Sequence, residues 1–85
     1  MKKTAFITGA TSGIGEACAR KFAEGGYRLV ITGRNATKLE TLKTALEAEG
    51  TEVRTLVFDV RDAAAAKAAV ESLDEAWATP DVLIN

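Results

Sequence analysis

Three glycines fall within seven residues, Gly9-Ala10-Thr11-Ser12-Gly13-Ile14-Gly15, directly between a strand-like run and a helix-like run. The run before them, Thr4–Thr8 (TAFIT), is short and β-rich. After them Ile14, Ala17, Cys18 and Phe22 recur at helical spacing, which predicts a helix from Ile14 to Glu24 with those residues on its apolar face. A helix start leaves backbone N–H groups unpaired and carries a partial positive charge. A phosphate placed there satisfies both, and glycine lets the backbone approach it closely. Gly15 is expected to let the helix pack tightly on the strands. Thr11 and Ser12 add hydroxyls for phosphate or ribose. A glycine-rich turn without a ligand is the plainer alternative, but this one lies at the first β-to-α turn, where α/β folds bind nucleotides. A P-loop is disfavoured, because Glu16-Ala17 follows the glycines where Lys-Ser/Thr would stand.

The alternation continues along the chain. Gly25-Gly26 stops the first helix, and Arg28–Thr32 (RLVIT) makes a second strand that ends at Gly33. Asn35 is an N-cap for a second helix with the stripe Leu39, Leu42, Leu46, flanked by Ala45 and ended by Gly50. Residues Glu52–Asp59 hold a third strand. Asp62 caps a third helical stretch in which Ala66, Val70, Leu73 and Trp77 repeat, and Pro80 forbids its continuation. Asp81–Asn85 (DVLIN) begins a fourth strand. The order β-α-β-α-β-α-β predicts an α/β fold, a Rossmann-type doubly wound parallel sheet with strand order 3-2-1-4. The near-continuous apolar runs of the first three strands predict strands covered on both faces.

Composition bounds the rest. Eighty-five residues with 47% hydrophobic content make one domain at most, and 16 of those hydrophobics are Ala. A core of alanines is thin for a domain of this size. The apolar segment Val82-Leu83-Ile84 would also leave an exposed strand edge without a fifth strand. Residues 1–85 are therefore expected to be the N-terminal part of a single dinucleotide-binding domain, cut inside its fourth strand. Net charge is −1 with scattered basic residues, which argues against nucleic-acid binding. The chain has no His and one Cys, so no ordinary zinc site, disulfide or His-based acid–base chemistry can be assembled within it. The apolar stretch after Met1-Lys2-Lys3 stops at Thr8-Gly9, too short for a signal peptide, and no run approaches a membrane span. A cytoplasmic location with no membrane partner is expected. Cys18 reads as a buried structural thiol.

The glycine spacing is Thr8-Gly9-x-x-x-Gly13-Ile14-Gly15, and the chain resembles the short-chain dehydrogenase/reductase family, whose cofactor turn reads TGxxxGIG. The resemblance spans the chain through Asp59-Val60 to Leu83-Ile84-Asn85, which looks like the start of that family's NNAG segment. It implies cofactor contacts at Gly9, Thr11, Ser12, Gly13, Ile14 and Gly15, an adenine contact from the Asp59 carboxylate, a backbone contact from Val60, and a place for Asn85 along the cofactor. It also implies hydride transfer between the nicotinamide and a small-molecule alcohol or ketone, and a homo-oligomeric parent protein, dimer or tetramer. The family's Tyr acid–base with a Lys four residues on is not met here. The single Tyr, Tyr27, is followed at that distance by Ile31, so no catalytic residue is expected within these residues. A standalone nucleotide-binding or interaction module without catalysis is the alternative.

The tip of the second strand bears on the choice of cofactor. An acid there favours NAD through the ribose 2′-OH, and an Arg nearby accommodates the 2′-phosphate of NADP. Here Thr32-Gly33-Arg34-Asn35 supplies no acid and one guanidinium, with Gly33 expected to leave room for the extra group. NADP is the expected cofactor, gripped by Arg34 and Asn35 and supported by Lys38. Many NADP-dependent members carry a basic residue just before the second motif glycine, where this chain has Ser12. Phe58-Asp59-Val60-Arg61 and Leu73-x-x-x-Trp77 look like the bacterial NADP-dependent serine and 3-hydroxy acid dehydrogenases.

Overall fold

The computed structural model describes residues 3–59, 61–73, 77 and 80–84. Its elements run β1 (Thr4–Ile7), α1 (Gly13–Glu24), β2 (Arg28–Gly33), α2 (Ala36–Ala48), β3 (Val53–Val57), α3 (Ala63–Glu71) and β4 (Val82–Ile84). The four strands form one parallel sheet in the order β3-β2-β1-β4, as expected from the sequence. In register Ile7 faces Ile31 on β2 and Ile84 on β4. All four strands therefore deliver their carboxyl ends to one edge of the sheet.

Alternating side chains divide the core into two layers. Ala5, Ile7, Leu29, Ile31 and Val53 face α1 and α2, meeting Ala19, Leu39, Leu42 and Leu46. Phe6, Val30, Leu56 and Phe58 face the other side, where Ala65, Ala66, Ala69, Val70, Leu73 and Trp77 cover them. The leucine stripe of α2 is buried as its spacing predicts. Trp77 is held by two cations as well as by burial, with the Arg28 and Arg54 guanidinium carbons 4.3 Å and 4.5 Å from its ring centre. Among the described residues no helix is long and apolar enough to cross a membrane.

Each helix starts on a side-chain cap that accepts from the backbone N–H three residues on. Asn35 accepts from Lys38 at 3.0 Å and Asp62 from Ala65 at 3.1 Å, as expected. Ser12 does the same for α1, accepting from Gly15 at 3.1 Å.

Two local expectations are corrected and one holds in part. The buried face of α1 is Gly15 and Ala19, with Cys18, Phe22 and Ala23 partly buried, whereas Ile14 is 82% exposed and Ala17 is exposed. The helix is turned so that its residue without a side chain meets the sheet. β3 is covered on both faces, Val53 facing α2 and Leu56 the α3 side. Arg54 and Val57, one on each face, are nonetheless exposed, because β3 is an edge strand that the helices cover incompletely. α3 ends at Glu71, where the Ser72 hydroxyl bonds back to Ala69 O, and Trp77 beyond this break is again helical.

Candidate cofactor cleft

The carboxyl edge of the sheet opens onto a cleft of about 860 Å³. Thr8 and Gly9 after β1, Gly33 and Arg34 at the end of β2, and Phe58 and Asp59 after β3 form its rim and floor. Thr11, Ser12, Ile14, Gly15 and Cys18 contribute the glycine turn and α1, and Ile84 closes the β4 side. Hydrogen bonds across the strand ends hold this edge together: Thr8 N–H to Ile84 O at 2.9 Å, Ala10 N–H to Thr32 O at 2.9 Å and Phe58 N–H to Gly33 O at 3.0 Å. Tyr27 lies before the amino end of β2, at the opposite edge, edge-on to Phe22 at 4.9 Å.

The glycine turn is built by close contact. Gly9 has φ +64°, the left-handed region that glycine enters freely. A Cβ on Gly15 would lie 2.1 Å from the Gly9 carbonyl oxygen and 2.9 Å from the Ala10 Cα. Only glycine allows α1 to cross β1 so closely. A Cβ on Gly13 would instead meet nothing within 4 Å, so the backbone there borders open space. Of the first four N–H groups of α1, Gly15 donates to Ser12 Oγ and Glu16 to Ser12 O at 2.8 Å. Those of Gly13 and Ile14 remain for a ligand, because helix geometry gives them no partner within the helix. The Ser12 hydroxyl donates its own proton to Gly9 O at 2.8 Å. It is therefore engaged in shaping the turn, with no second proton to offer a phosphate.

Beside the main cleft, Thr11, Arg34, Asn35, Ala36 and Lys38 line a second hollow of about 570 Å³. Among the described residues no carboxylate lines it. The Arg34 side chain is 70% exposed, and its Nη1 lies 3.9 Å from Asp59 Oδ2. Asn35 Oδ1 is occupied as the α2 cap. Gly33 makes room for a neighbouring side chain as well as lining the main cleft. A Cβ there would sit 3.2 Å from both Thr11 Cγ2 and Thr11 Oγ1, so the glycine lets the Thr11 side chain approach the end of β2.

Asp59 carries the clearest electrostatic perturbation. Arg61 holds its carboxylate through side-chain and backbone hydrogen bonds, and with Arg34 nearby its pKa falls from the ordinary 3.8 to about 2. The same pair raises the Arg61 guanidinium above its usual value. A carboxylate depressed in the folded state adds stability that is complete above about pH 4 and lost as pH falls towards about 2. Urea unfolding measured between about pH 5 and about pH 2 is expected to show that loss in the wild type and to lack this component in Asp59→Asn. Parallel pH curves for the two proteins would show that the pair does not stabilise the fold.

The structure thus brings together Gly9, Thr11, Ser12, Gly13, Ile14, Gly15, Arg34 and Asp59, and places Asn35 and Lys38 in the adjoining hollow. Val60 and Asn85, the other expected contacts, lie outside the described residues. Cys18 is half-buried and on the cleft wall as well as against the core, so it is not the fully buried thiol expected from the sequence. Arg61 and Phe58 were not singled out as site residues. The signal for Arg61 was its position two residues beyond a strand-ending acid.

A model of the family described as short chain dehydrogenase matches residues 3–85. The chain belongs to the short chain dehydrogenase family. It is 41% identical over 85 residues to sulfoacetaldehyde reductase 2 of Chromohalobacter salexigens, covering 100% of this chain and 33% of that protein. It is 43% identical over 79 residues to the NADP-dependent 3-hydroxy acid dehydrogenase YdfG of Salmonella typhi, covering 93% of this chain and 31% of that one. Among solved structures it superposes on L-sorbose reductase from Gluconobacter frateurii, complexed with NADPH and L-sorbose, with TM-score 0.90 and 34% identity over 99% of this chain and 32% of that one. The chain therefore spans about a third of the length of these members of the short chain dehydrogenase family. Their named substrates differ, although each matches more than nine-tenths of this chain.

Proposed function

We propose that residues 1–85 form the amino-terminal, cofactor-binding part of a single Rossmann domain in an NADP-dependent oxidoreductase. The carrying observation is the hollow beside Arg34 and Lys38 at the tip of β2, which among the described residues two cations and no carboxylate line. A 2′-phosphate placed there meets a guanidinium able to form two parallel charge-assisted bonds. The open backbone at Gly13 and the two available N–H groups of α1 suit a diphosphate in the main cleft. A dinucleotide fits these residues. When bound, the nicotinamide supplies or accepts the hydride. This chain's residues hold it: α1 receives the diphosphate, Arg34 and Lys38 the ribose phosphate, and Asp59 lies within reach of the adenine side.

The substrate in this reading is a small alcohol or ketone. The named activities of the relatives support that class, and a 3-hydroxy acid or serine is the narrower choice that the sequence resemblance favours. The decisive test separates the two cofactors. Fluorescence titration of the full-length protein is expected to show tighter binding of NADPH than of NADH. Arg34→Ala should weaken NADPH about tenfold to a hundredfold, as loss of a charged hydrogen-bonding partner does, and leave NADH nearly unchanged. Equal weakening of both cofactors would remove Arg34 from the phosphate and sink the NADP assignment.

A further inference from the structure

The two arginines at the cleft compete for one carboxylate, and the distances show which has it. Arg61 Nη2 donates to Asp59 Oδ2 at 2.8 Å and Nε to Oδ1 at 3.1 Å, while the Arg61 backbone N–H adds a bond to Oδ1 at 2.9 Å. Arg34 reaches the same Oδ2 only at 3.9 Å. The turn that sets this arrangement is closed by Asp62 N–H to Asp59 O at 2.9 Å, which folds Arg61 back over the end of β3. Both carboxylate oxygens of Asp59 are thus engaged by one residue. Arg34, with its side chain 70% exposed, retains its donors for an anion in the hollow.

We infer that Arg61 is a positioning residue for cofactor choice: by holding Asp59 it keeps that carboxylate 3.9 Å from Arg34, short of a close hydrogen-bonded pair, and so leaves the Arg34 donors to the phosphate on the adenosine ribose. This rests on the reading that Arg34 receives a 2′-phosphate. Two consequences of Coulomb attraction follow. An Asp59 released from Arg61 has Arg34 as a guanidinium already within 4.0 Å, and their pairing would withdraw the phosphate's partner. A released Asp59 would also repel the phosphate itself. Neither effect touches NADH, which carries no phosphate at that position. Arg61 therefore acts on selectivity through Asp59.

The test is the ratio of the NADH and NADPH dissociation constants, measured by fluorescence titration of the full-length protein. The Arg61 side chain is 77% exposed, so Arg61→Met is expected to fold normally. Arg61→Met should lower the ratio about fivefold, the scale of one partly exposed charge pair, with NADH affinity nearly unchanged. Adding Asp59→Asn should restore the ratio to within about twofold of wild type, because the competing charge is gone. Any effect of Asp59→Asn on adenine binding is common to both cofactors and cancels in the ratio. An unchanged ratio in Arg61→Met overturns the inference. A lowered ratio that Asp59→Asn does not restore also overturns it, and would mean that Arg61 touches the phosphate directly. If the wild type shows no preference for NADPH and Arg34→Ala changes nothing, the reading under Proposed function fails and this inference fails with it. If Arg34→Ala behaves as expected but Arg61→Met is silent, only the role of Arg61 is lost.

Discussion

Gly15→Ala is expected to lose about 3 kcal/mol of stability and most NADPH binding together. The added methyl would lie 2.1 Å from the Gly9 carbonyl oxygen, 2.8 Å from the Gly9 carbonyl carbon and 2.9 Å from the Ala10 Cα. All three are backbone atoms, so no rotamer change relieves the clash. Either α1 moves away from β1 or the Gly9 turn opens. Both shift the N–H groups of Gly13 and Ile14 that the diphosphate would meet. Gly13→Ala is the informative partner. Its methyl meets nothing in the protein within 4 Å, so stability should stay within about 0.5 kcal/mol of wild type. Its effect should fall on NADPH affinity alone, because the methyl occupies the space where the diphosphate approaches. Urea unfolding with parallel NADPH titration reads both quantities. Wild-type stability in Gly15→Ala would show that the close crossing of α1 and β1 is not required. Unimpaired binding in Gly13→Ala would place the diphosphate elsewhere.

Leu39→Ala is the second large effect expected, at about 3 kcal/mol. Leu39 is 0% exposed, and it shares the α2 side of the core with Leu42 and Leu46. Truncation removes its buried surface and leaves a cavity between the first turn of α2 and the end of β2. The site is confined: Leu39 Cδ1 lies 3.8 Å from the position a Cβ on Gly33 would take. The surrounding strands leave little freedom to collapse into the space. Because the cavity lies under Gly33 and Arg34, NADPH affinity should fall as well, while Thr44→Ala on the exposed side of α2 should leave both properties unchanged. Urea unfolding of the three proteins decides it. A loss below about 1 kcal/mol for Leu39→Ala would mean that the α2 interface repacks freely.

Patterns local to one element were legible before any coordinates. The α2 stripe repeats every three to four residues with no competing apolar face, and Leu39, Leu42 and Leu46 are the residues it buries. Asn35 and Asp62 precede their helices and cap them. The face of α1 was not legible in the same way. Ile14 has the strongest apolar signal at its start, yet it lies in the cleft, while Gly15, with no hydrophobic signal, enters the core. A missing side chain decides where a helix crosses a strand closely, and hydrophobic periodicity does not register it. The incomplete cover of β3 was hidden for a related reason: an apolar run looks the same in a central strand and at an edge.

The sequence by itself determined the element order, the parallel sheet with its 3-2-1-4 arrangement, and the identity of most cleft residues. Glycine spacing, helix periodicity and the short βα connections each act over a few residues and agree with one another, so they can be read along the chain. Tertiary structure alone decided how those residues divide the work. The Thr11 side chain approaches Gly33 at the end of β2 because two separate βα turns converge at the sheet edge. Ser12 gives its hydroxyl to Gly9 and Gly15, and Asp59 gives its carboxylate to Arg61 more than to Arg34. Each of these outcomes is a competition among several donors for few acceptors, or among side chains for one volume. Such competitions are settled by distances of a few tenths of an ångström that exist only once the strands are side by side.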